Sequence, residues 1–295
     1  MRDAFSDHHP YVNFIFYIAA IGMGMCFTHP LFLCCSFFLS FAYFHILKRR
    51  TIKYLLGMGG LFLVLSFGNP FFSPYGDTVL FTYLNNRPYT YEALCFGFSI
   101  AAMFLSVITW FATYHEVMTS DKFLYCFGRL APSVSLILTM VLRLVPSFQK
   151  KTEQIAGARR CIGKSIENGT KYEKVEHGMT IVSALTSWAL EGGVIMADSM
   201  RSRGFGCGKR SSFSIYKMKK SDKYLLGMMF VLIISILFCA VKGGMKVNYI
   251  PSLDIQKFHY IWTIVGVISY AMFLSIPTTL HLLEEIRWHN LKSKI

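Results

Sequence analysis

Residues 11–47 decide the fold, and they read YVNFIFYIAAIGMGMCF, then THP, then LFLCCSFFLSFAYFHIL. The two longer runs contain no Lys, Arg, Asp or Glu. An α-helix rises about 1.5 Å per residue and the apolar core of a bilayer is about 30 Å thick, so each run has about the length of one transmembrane helix. Because proline interrupts helices, Thr28-His29-Pro30 predicts a tight hairpin between two spans.

The composition of the whole chain is that of a membrane protein. Its 295 residues are 54% hydrophobic and 16% charged, whereas a soluble domain carries roughly 25% charged residues. Four further apolar runs follow at 54–67, 93–113, 224–241 and 260–276. The sequence therefore predicts an all-α, polytopic integral membrane protein with about six transmembrane helices.

Residues 114–223 differ from the rest because charged residues recur throughout them. Within this region, 132–163 and 177–203 carry apolar residues at every third or fourth position, which is the spacing of one helix face. They predict two long amphipathic helices in the cytosol, the first kinked at Pro146. The chain is thus predicted to have three parts: N-terminal membrane spans at 1–113, the charged region at 114–223, and C-terminal spans with a basic tail at 224–295.

Turn-forming and polar residues predict the connections between these helices. Loops are expected at 68–92 and at 164–176, where Asn-Pro, Ser-Pro, Gly-Asp and other polar residues cluster. Pro277 is expected to lead from the last helix into the short basic tail.

The basic side chains predict the orientation in the membrane. When the N-terminus is placed inside and the six runs alternate, 26 of the 30 Lys and Arg residues fall on the inner side, 18 of them in 114–223. This excess obeys the positive-inside rule and places both termini in the cytoplasm. The formal net charge of +14 therefore faces the lipid bilayer and cytosolic partners rather than nucleic acid, for which the sequence has no motif.

Several features invite a catalytic or metal-binding interpretation, and none supports it. The stretch RGFGCGKR at 203–210 differs from a phosphate-binding loop because Arg203 stands where glycine is needed, Arg210 replaces Ser or Thr, and a helix precedes it. The pairs Glu284-Glu285 and His8-His9 are expected to be solvated. The eight cysteines contain no C-x-x-C pair and are expected to be buried apolar side chains. We therefore predict no catalytic, cofactor-binding or metal-binding residue.

Five motifs together resemble one transporter family. They are NPFF at 69–72, EVMTSDK at 116–122, FGRL at 127–130 followed by Pro132, LR at 142–143 before Pro146, and ADSMRSRGFG at 197–206. In content and order they are similar to the transmembrane (T) component of energy-coupling factor (ECF) transporters, a family that includes the cobalt-type CbiQ proteins. The resemblance extends over about half of the chain.

The resemblance implies a fold and a function. Two long coupling helices are expected in the cytosol, each ending in an Ala-Arg-Gly-like motif that docks on one of two ABC-type ATPase subunits. The membrane spans would hold a separate S component, which binds a vitamin or a metal ion and topples when the ATPases close. The chain itself would be a non-catalytic scaffold in the plasma membrane of a prokaryote.

The resemblance also assigns the docking residues. The second motif is Ser202-Arg203-Gly204, with serine for alanine, and the first is Cys161-Ile162-Gly163. Ile162 stands where the arginine of the first motif is expected, so Arg159 and Arg160 are the candidate replacements. An arginine at a helix end can form charge-assisted hydrogen bonds with a carboxylate of a partner, and the adjacent glycine ends the helix. The alternative for Arg203 is to reach a lipid phosphate.

Two other functions are compatible with a polytopic membrane protein. A self-sufficient secondary transporter or channel predicts several charged residues inside the spans, and these spans have almost none. A membrane enzyme predicts paired acidic residues or clustered histidines at the end of a span. Uptake by this chain alone would identify the first, and turnover without partners the second.

Overall fold

The computed structural model describes residues 4–47, 52–72, 78–83, 87–128, 131–164, 170–208, 216–243, 247–248, 254–255 and 260–292. Some residues of the motifs named above lie outside this set, namely Arg129, Leu130, Lys209 and Arg210. Within the described residues the chain forms nine α-helices and four short strands. The predicted all-α class is confirmed.

The helices are α1 (Pro10–Cys26), α2 (Pro30–Leu47), α3 (Ile52–Phe72), α4 (Tyr91–Val117), α5 (Ser120–Gly128), α6 (Pro132–Cys161), α7 (Lys171–Ser202), α8 (Lys220–Val241) and α9 (Tyr260–Lys292). Strands β1 (Val79–Tyr83) and β2 (Arg87–Thr90) pair antiparallel, as do β3 (Val247–Asn248) and β4 (Asp254–Ile255). Each of the six apolar runs forms a helix. The short α5 and the two strand pairs are features that the apolar pattern does not predict.

Seven of the described helices are long and apolar enough to cross a membrane, namely α2, α3, α4, α6, α7, α8 and α9. Helix α1 is apolar but shorter, at 17 residues. Length and composition therefore agree with a polytopic membrane protein. Because α6 and α7 are among the seven although the sequence places them in the cytosol, the number of about six spans stays a prediction.

The chain divides into two compact units, a first unit of residues 1–126 with 216–295 and a second unit of residues 127–215. In the first unit, α4 packs against α1, α2 and α3, and α9 packs against α2 and α8. The ring of Phe16 lies 5.5 Å from Trp110 and 5.2 Å from Phe273, which joins α1, α4 and α9. Trp110 is fully buried and donates its indole N–H to Ser36 Oγ at 3.3 Å, so its polar atom is satisfied.

The prediction that Pro277 leads out of the last helix is wrong, because α9 continues to Lys292. A proline removes the N–H that would bond the carbonyl four residues earlier. The hydroxyl groups of Ser275, Thr278 and Thr279 donate to the carbonyls of Met272, Ser275 and Ile276 at 2.6–2.9 Å, so these polar side chains are satisfied within α9. Proline is tolerated inside helices that cross a membrane. Pro146 likewise lies inside α6, where the expected kink stays a prediction.

The predicted loop at 68–92 begins too early, because α3 extends to Phe72 with Pro70 inside it. Pro70 deprives the Ser66 carbonyl of its usual helical hydrogen bond. Helix α4 approaches α3 at this carbonyl, since a Cβ placed on Gly97 would lie 2.5 Å from the Ser66 oxygen. Glycine at position 97 therefore permits the close approach of the two helices.

The predicted loop at 164–176 is too long, because α7 begins at Lys171. The side chain of Thr170 accepts the Glu173 N–H at 3.5 Å, and the Glu173 carboxylate accepts the Thr170 N–H at 2.7 Å. This capping box starts the helix. The apolar pattern begins only near His177, so it gives no indication of the polar first turns.

Replacing Gly97 with alanine should destabilise the first unit, because the added methyl group would collide with the Ser66 carbonyl. Overpacking of this kind costs about 1–3 kcal/mol and would lower the midpoint of thermal unfolding in detergent. The matched control is Gly59→Ala in α3, where a Cβ meets nothing within 4 Å. Equal stability of the two variants would contradict the close approach of α3 and α4.

Candidate functional site

Helices α6 and α7 lie side by side in the second unit and run in opposite directions. The rings of Phe148 and Trp188 lie 5.5 Å apart at 85°, and Lys151 Nζ lies 5.8 Å from the centre of the Trp188 ring. Toward the end of α6, Arg159 Nη2 lies 3.1 Å from Nδ1 of His177. From the first contact to the second, the residue number rises from 148 to 159 in α6 and falls from 188 to 177 in α7. The two helices are therefore antiparallel.

The antiparallel arrangement separates the two C-terminal ends. Beyond the Phe148–Trp188 contact, α6 continues to Cys161 and α7 continues to Ser202 in the opposite direction. With about 1.5 Å of rise per residue, the ends lie on the order of 40 Å apart along the pair. The structure therefore brings Arg159, Arg160 and Gly163 together at one end, and Ser202, Arg203 and Gly204 together at the other.

Both helices end in the same backbone motif. Gly163 and Gly204 have positive φ angles of 74° and 78°. At the α6 end, the N–H groups of Gly163 and Lys164 donate to the carbonyls of Arg160 and Arg159, both at 3.0 Å. At the α7 end, the N–H groups of Gly204 and Phe205 donate to the carbonyls of Arg201 and Met200, at 2.9 and 3.1 Å. This is the Schellman motif, so the two ends can be compared position by position.

The shared motif places Ile162 and Arg203 at the same position, the C-cap of each helix. Arg203 is exposed, and Ile162 exposes 68% of its surface. A cation such as Arg203 is favourable at a helix C-terminus, where the helix dipole is negative. One end therefore presents a guanidinium group and the other a branched apolar side chain.

The two candidate replacements for an arginine at position 162 occupy other positions. Arg159 is half-buried and contacts His177 of α7. Arg160 is exposed, but it stands at the same motif position as Arg201. With about 100° of turn per residue, Arg160 points to the opposite side of α6 from Ile162. Neither arginine therefore occupies the C-cap position of Arg203, and a replacement role for Arg159 or Arg160 stays a prediction.

The helix pair buries almost none of its apolar side chains within its described residues. No residue of α6 is buried, and Ile181 is the one buried residue of α7. More than half of the surface is exposed at Val134, Ile137, Tyr172, Val175, Met179, Val182, Leu190, Val194 and Ile195. An apolar surface of this extent is typical of contact with lipid or with another protein.

A buried lysine of the first unit was not among the residues that the sequence indicates as functional. Lys122 exposes only 7% of its surface. Its Nζ donates to the carbonyl and hydroxyl oxygens of Ser6, at 2.6 and 2.8 Å, and to the carbonyl of Val117 at 2.9 Å. Lys122 lies in the EVMTSDK motif, but Ser6 is 116 residues away, so local spacing gives no signal for this contact.

Other contacts of the first unit lie where the chain leaves for residues 127–215 and returns from them. Tyr125 Oη donates to the carbonyl of Tyr216 at 3.4 Å, and the two rings lie 5.1 Å apart. His8 Nδ1 lies 2.6 Å from Oδ1 of Asp222. We define the polar junction by these contacts and those of Lys122; it comprises Ser6, His8, Lys122, Tyr125, Tyr216 and Asp222.

The prediction that His8-His9 is solvated is therefore wrong. His9 is 5% exposed, and its Nδ1 accepts the N–H of Tyr11 at 3.4 Å, which caps α1. Burial lowers the pKa of His9 below its ordinary value, against the opposing effect of Asp222. The contacts of His8 with Asp222 and of His9 with Tyr11 therefore hold the residues just before α1 within the first unit.

The structure also describes the cysteines and the acidic pair that the sequence analysis considered for metal or redox chemistry. Among the described residues, no group of three or more His, Cys, Asp or Glu side chains could hold a metal ion. Burial of the cysteines is confirmed for Cys126 and Cys239 but wrong for Cys26, Cys34, Cys161 and Cys207, which are exposed. Among the described residues, Cys26, Cys34 and Cys161 lie on exposed faces of α1, α2 and α6, and the exposed Cys207 follows α7. Glu284-Glu285 is exposed as predicted.

Residues 5–215, which include the helix pair and both of its ends, match the family described as CbiQ, cobalt transport protein. The chain belongs to the CbiQ family. This membership confirms the resemblance to the T component of ECF transporters. The matched region of this CbiQ chain also contains Lys122 and Ser6, and it ends before α8.

A curated relative of this CbiQ chain is the uncharacterized protein MG181 of Mycoplasma genitalium. The two sequences are 25% identical over 175 residues, which is 55% of this chain and 42% of the relative. The chain therefore matches less than half of the length of that relative.

Replacing Lys122 with methionine should lower the stability of the first unit. The substitution leaves the half-buried Ser6 carbonyl and the buried Val117 carbonyl without the ammonium group, and an unsatisfied buried polar group costs about 1–3 kcal/mol. The measurement is the midpoint of thermal unfolding in detergent. Lys223→Met, at an exposed lysine of α8, is the control. If both variants unfold at the same temperature as the unmodified protein, the polar junction does not stabilise the fold.

Proposed function

We propose that this CbiQ-family chain is the transmembrane scaffold of an ATP-driven ECF importer in the plasma membrane of a prokaryote. Two ABC-type ATPase subunits bind the C-terminal ends of α6 and α7, and a membrane-embedded S component carries the substrate, a metal ion or a vitamin. The observation that carries the proposal is the pair of equivalent helix ends, one at each end of an antiparallel helix pair. Their separation supports binding by two separate subunits.

Arg203 supplies the recognition chemistry at the α7 end. Its guanidinium group is exposed and can bind a carboxylate through two parallel hydrogen bonds. The neighbouring Gly204 has open space around its Cα, so the backbone of a partner can approach the helix end. Gly204 and Gly206, with φ angles of 78° and 94°, shape this end as a turn.

ATP is proposed to be hydrolysed by the partner subunits rather than by this chain. A phosphate-binding loop connects a strand to the N-terminus of a helix, which points its N–H groups at the phosphates. The glycine-rich stretch that begins at Arg203 instead follows the C-terminus of α7, where carbonyl groups and a negative dipole repel phosphate. This location supports a docking role for the glycine-rich stretch.

The exposed apolar side chains of α6 and α7 support a proposed contact with the S component. Charged residues such as Arg143, Lys150 and Glu176 are exposed on the same helices. A helix pair that mixes exposed apolar and charged positions fits the cytosolic boundary of the membrane, where protein and lipid head groups cover the apolar part. Movement of the ATPases would reach the S component through this pair.

One observation favours a second candidate function. Helices α6 and α7 have the length and apolar composition of transmembrane helices. A hairpin that crosses the membrane twice would make this chain part of a channel or secondary transporter whose helix ends do not both face the cytosol. The sidedness of the two helix ends distinguishes this arrangement from the proposed one.

Arg203→Glu should reduce the amount of ATPase subunit that co-purifies with this chain by at least about tenfold. Loss of a charge-assisted contact, with a like charge put in its place, costs about 2–5 kcal/mol. Lys150→Glu makes the same change of charge in the middle of α6, at an exposed residue away from both ends, and should leave co-purification intact. Normal ATPase binding by the Arg203→Glu protein would contradict docking through Arg203.

Labelling of two exposed cysteines tests the sidedness of the helix pair. Cys161 ends α6 and Cys207 follows α7, and both are exposed. In single-cysteine variants, a membrane-impermeant maleimide should label both residues in inside-out vesicles and neither in right-side-out vesicles. Labelling of Cys161 from the outer side and of Cys207 from the inner side would show instead that α6 and α7 cross the membrane.

A further inference from the structure

We infer that the two ends of the helix pair bind chemically different sites, so that the ATPase subunit bound at α7 cannot replace the subunit bound at α6. The α7 end fits a pocket with a carboxylate, and the α6 end fits an apolar pocket with an acidic rim. This inference rests on the proposed function and adds the chemistry of each site to it.

The backbone at the two ends is the same, so any difference in binding comes from the side chains. Both ends form a Schellman motif with a glycine of positive φ at the same position. Three of the surrounding positions nevertheless carry side chains of opposite character. At the C-cap, Ile162 of α6 corresponds to Arg203 of α7, and at the residue after the glycine, Lys164 corresponds to Phe205.

The same reversal occurs three residues before the C-cap. Arg159 of α6 corresponds there to Met200 of α7. One position, occupied by Arg160 and Arg201, is the same at both ends. At these three positions, an apolar residue at one end therefore corresponds to a cationic residue at the other. The two ends thus differ by more than the absence of one arginine at position 162.

The side chains that differ at the C-cap and after the glycine are accessible to a partner. Ile162 exposes 68% of its surface and Phe205 exposes 49%, and Arg203 and Lys164 are exposed. Covering an exposed isoleucine with an apolar pocket is favourable because it removes apolar surface from water. A carboxylate suited to Arg203 would lose its water in front of Ile162 without gaining a partner.

Arg160 does not remove this difference between the ends. Because Arg160 and Arg201 share one motif position, a pocket that recognises this arginine would bind both ends equally. Arg159 is engaged with His177, so it contributes to the joining of α6 and α7. The discriminating positions are therefore the C-cap and the residue after the glycine, where each wrong pairing puts a charge against an apolar surface.

The test uses the two ABC-type ATPase subunits that the proposed function requires, taken from the same organism and each expressed separately with the full-length chain. Separate expression prevents one subunit from retaining the other.

We expect Ile162→Asp to reduce co-purification of one subunit at least tenfold and to leave the other unchanged, with the reverse result for Arg203→Glu. A photo-crosslinking residue placed at 162 and at 203 should capture different subunits. Both positions are exposed, and the elution volume of each variant reports on its folding.

An exchange variant makes the test stricter. Ile162→Arg combined with Lys164→Phe gives the α6 end the pattern of the α7 end, and it should then bind a second copy of the subunit that recognises Arg203. Capture of one and the same subunit at 162 and 203 in the unmodified chain would overturn the inference while leaving the proposed function intact. Failure of the unmodified chain to bind either subunit would overturn the proposed function itself.

Discussion

Apolar surroundings offer no partner to a hydrogen-bonding group, and this constraint shapes the helix bundle of the first unit. Lys122 shows it most clearly, because its buried ammonium group finds three oxygen acceptors on Ser6 and Val117. The same demand explains why the Trp110 indole meets Ser36 and why the hydroxyl groups of Ser275, Thr278 and Thr279 bond carbonyls of their own helix. The bundle is thus held by dispersion between aromatic rings and positioned by a few obligatory polar contacts.

The helix pair of the second unit follows different rules. The helix pair has almost no buried core of its own. Its exposed side chains are therefore not held in place by burial or by buried hydrogen bonds. Its defined features are local: the capping box at Thr170 and the two glycines of positive φ at the helix ends. These features determine where each helix stops and which residue occupies the C-cap. The packing of the pair does not determine which side chain stands at the C-cap, since Ile162 and Arg203 are both exposed.

The sequence predicts the membrane helices well because a long uncharged apolar run has few other structures available to it. It fails at Pro70 and Pro277, because the rule that proline ends a helix comes from soluble proteins, whereas helices in apolar surroundings tolerate proline. It also fails at His8-His9, where the contact with Asp222 joins residues 214 positions apart. At the candidate site, the glycine and arginine motifs are visible in the sequence. The resemblance also aligns Ile162 with Arg203. What requires the structure is that both residues are the C-cap of the same backbone motif and that Arg159 contacts His177.

The lack of a core in the helix pair has a thermodynamic consequence for assembly. The Phe148–Trp188 ring contact and the Arg159–His177 contact hold α6 against α7, while most of their apolar surface stays uncovered. A partner that covers this surface also restricts the motion of the two helices, so the cost of ordering falls on the first partner to bind. A next partner would then meet a pair that is already fixed, and it would bind more tightly. If two ATPase subunits bind the two ends as proposed, we therefore expect binding of the first to raise the affinity for the second, although the ends lie far apart and differ in chemistry.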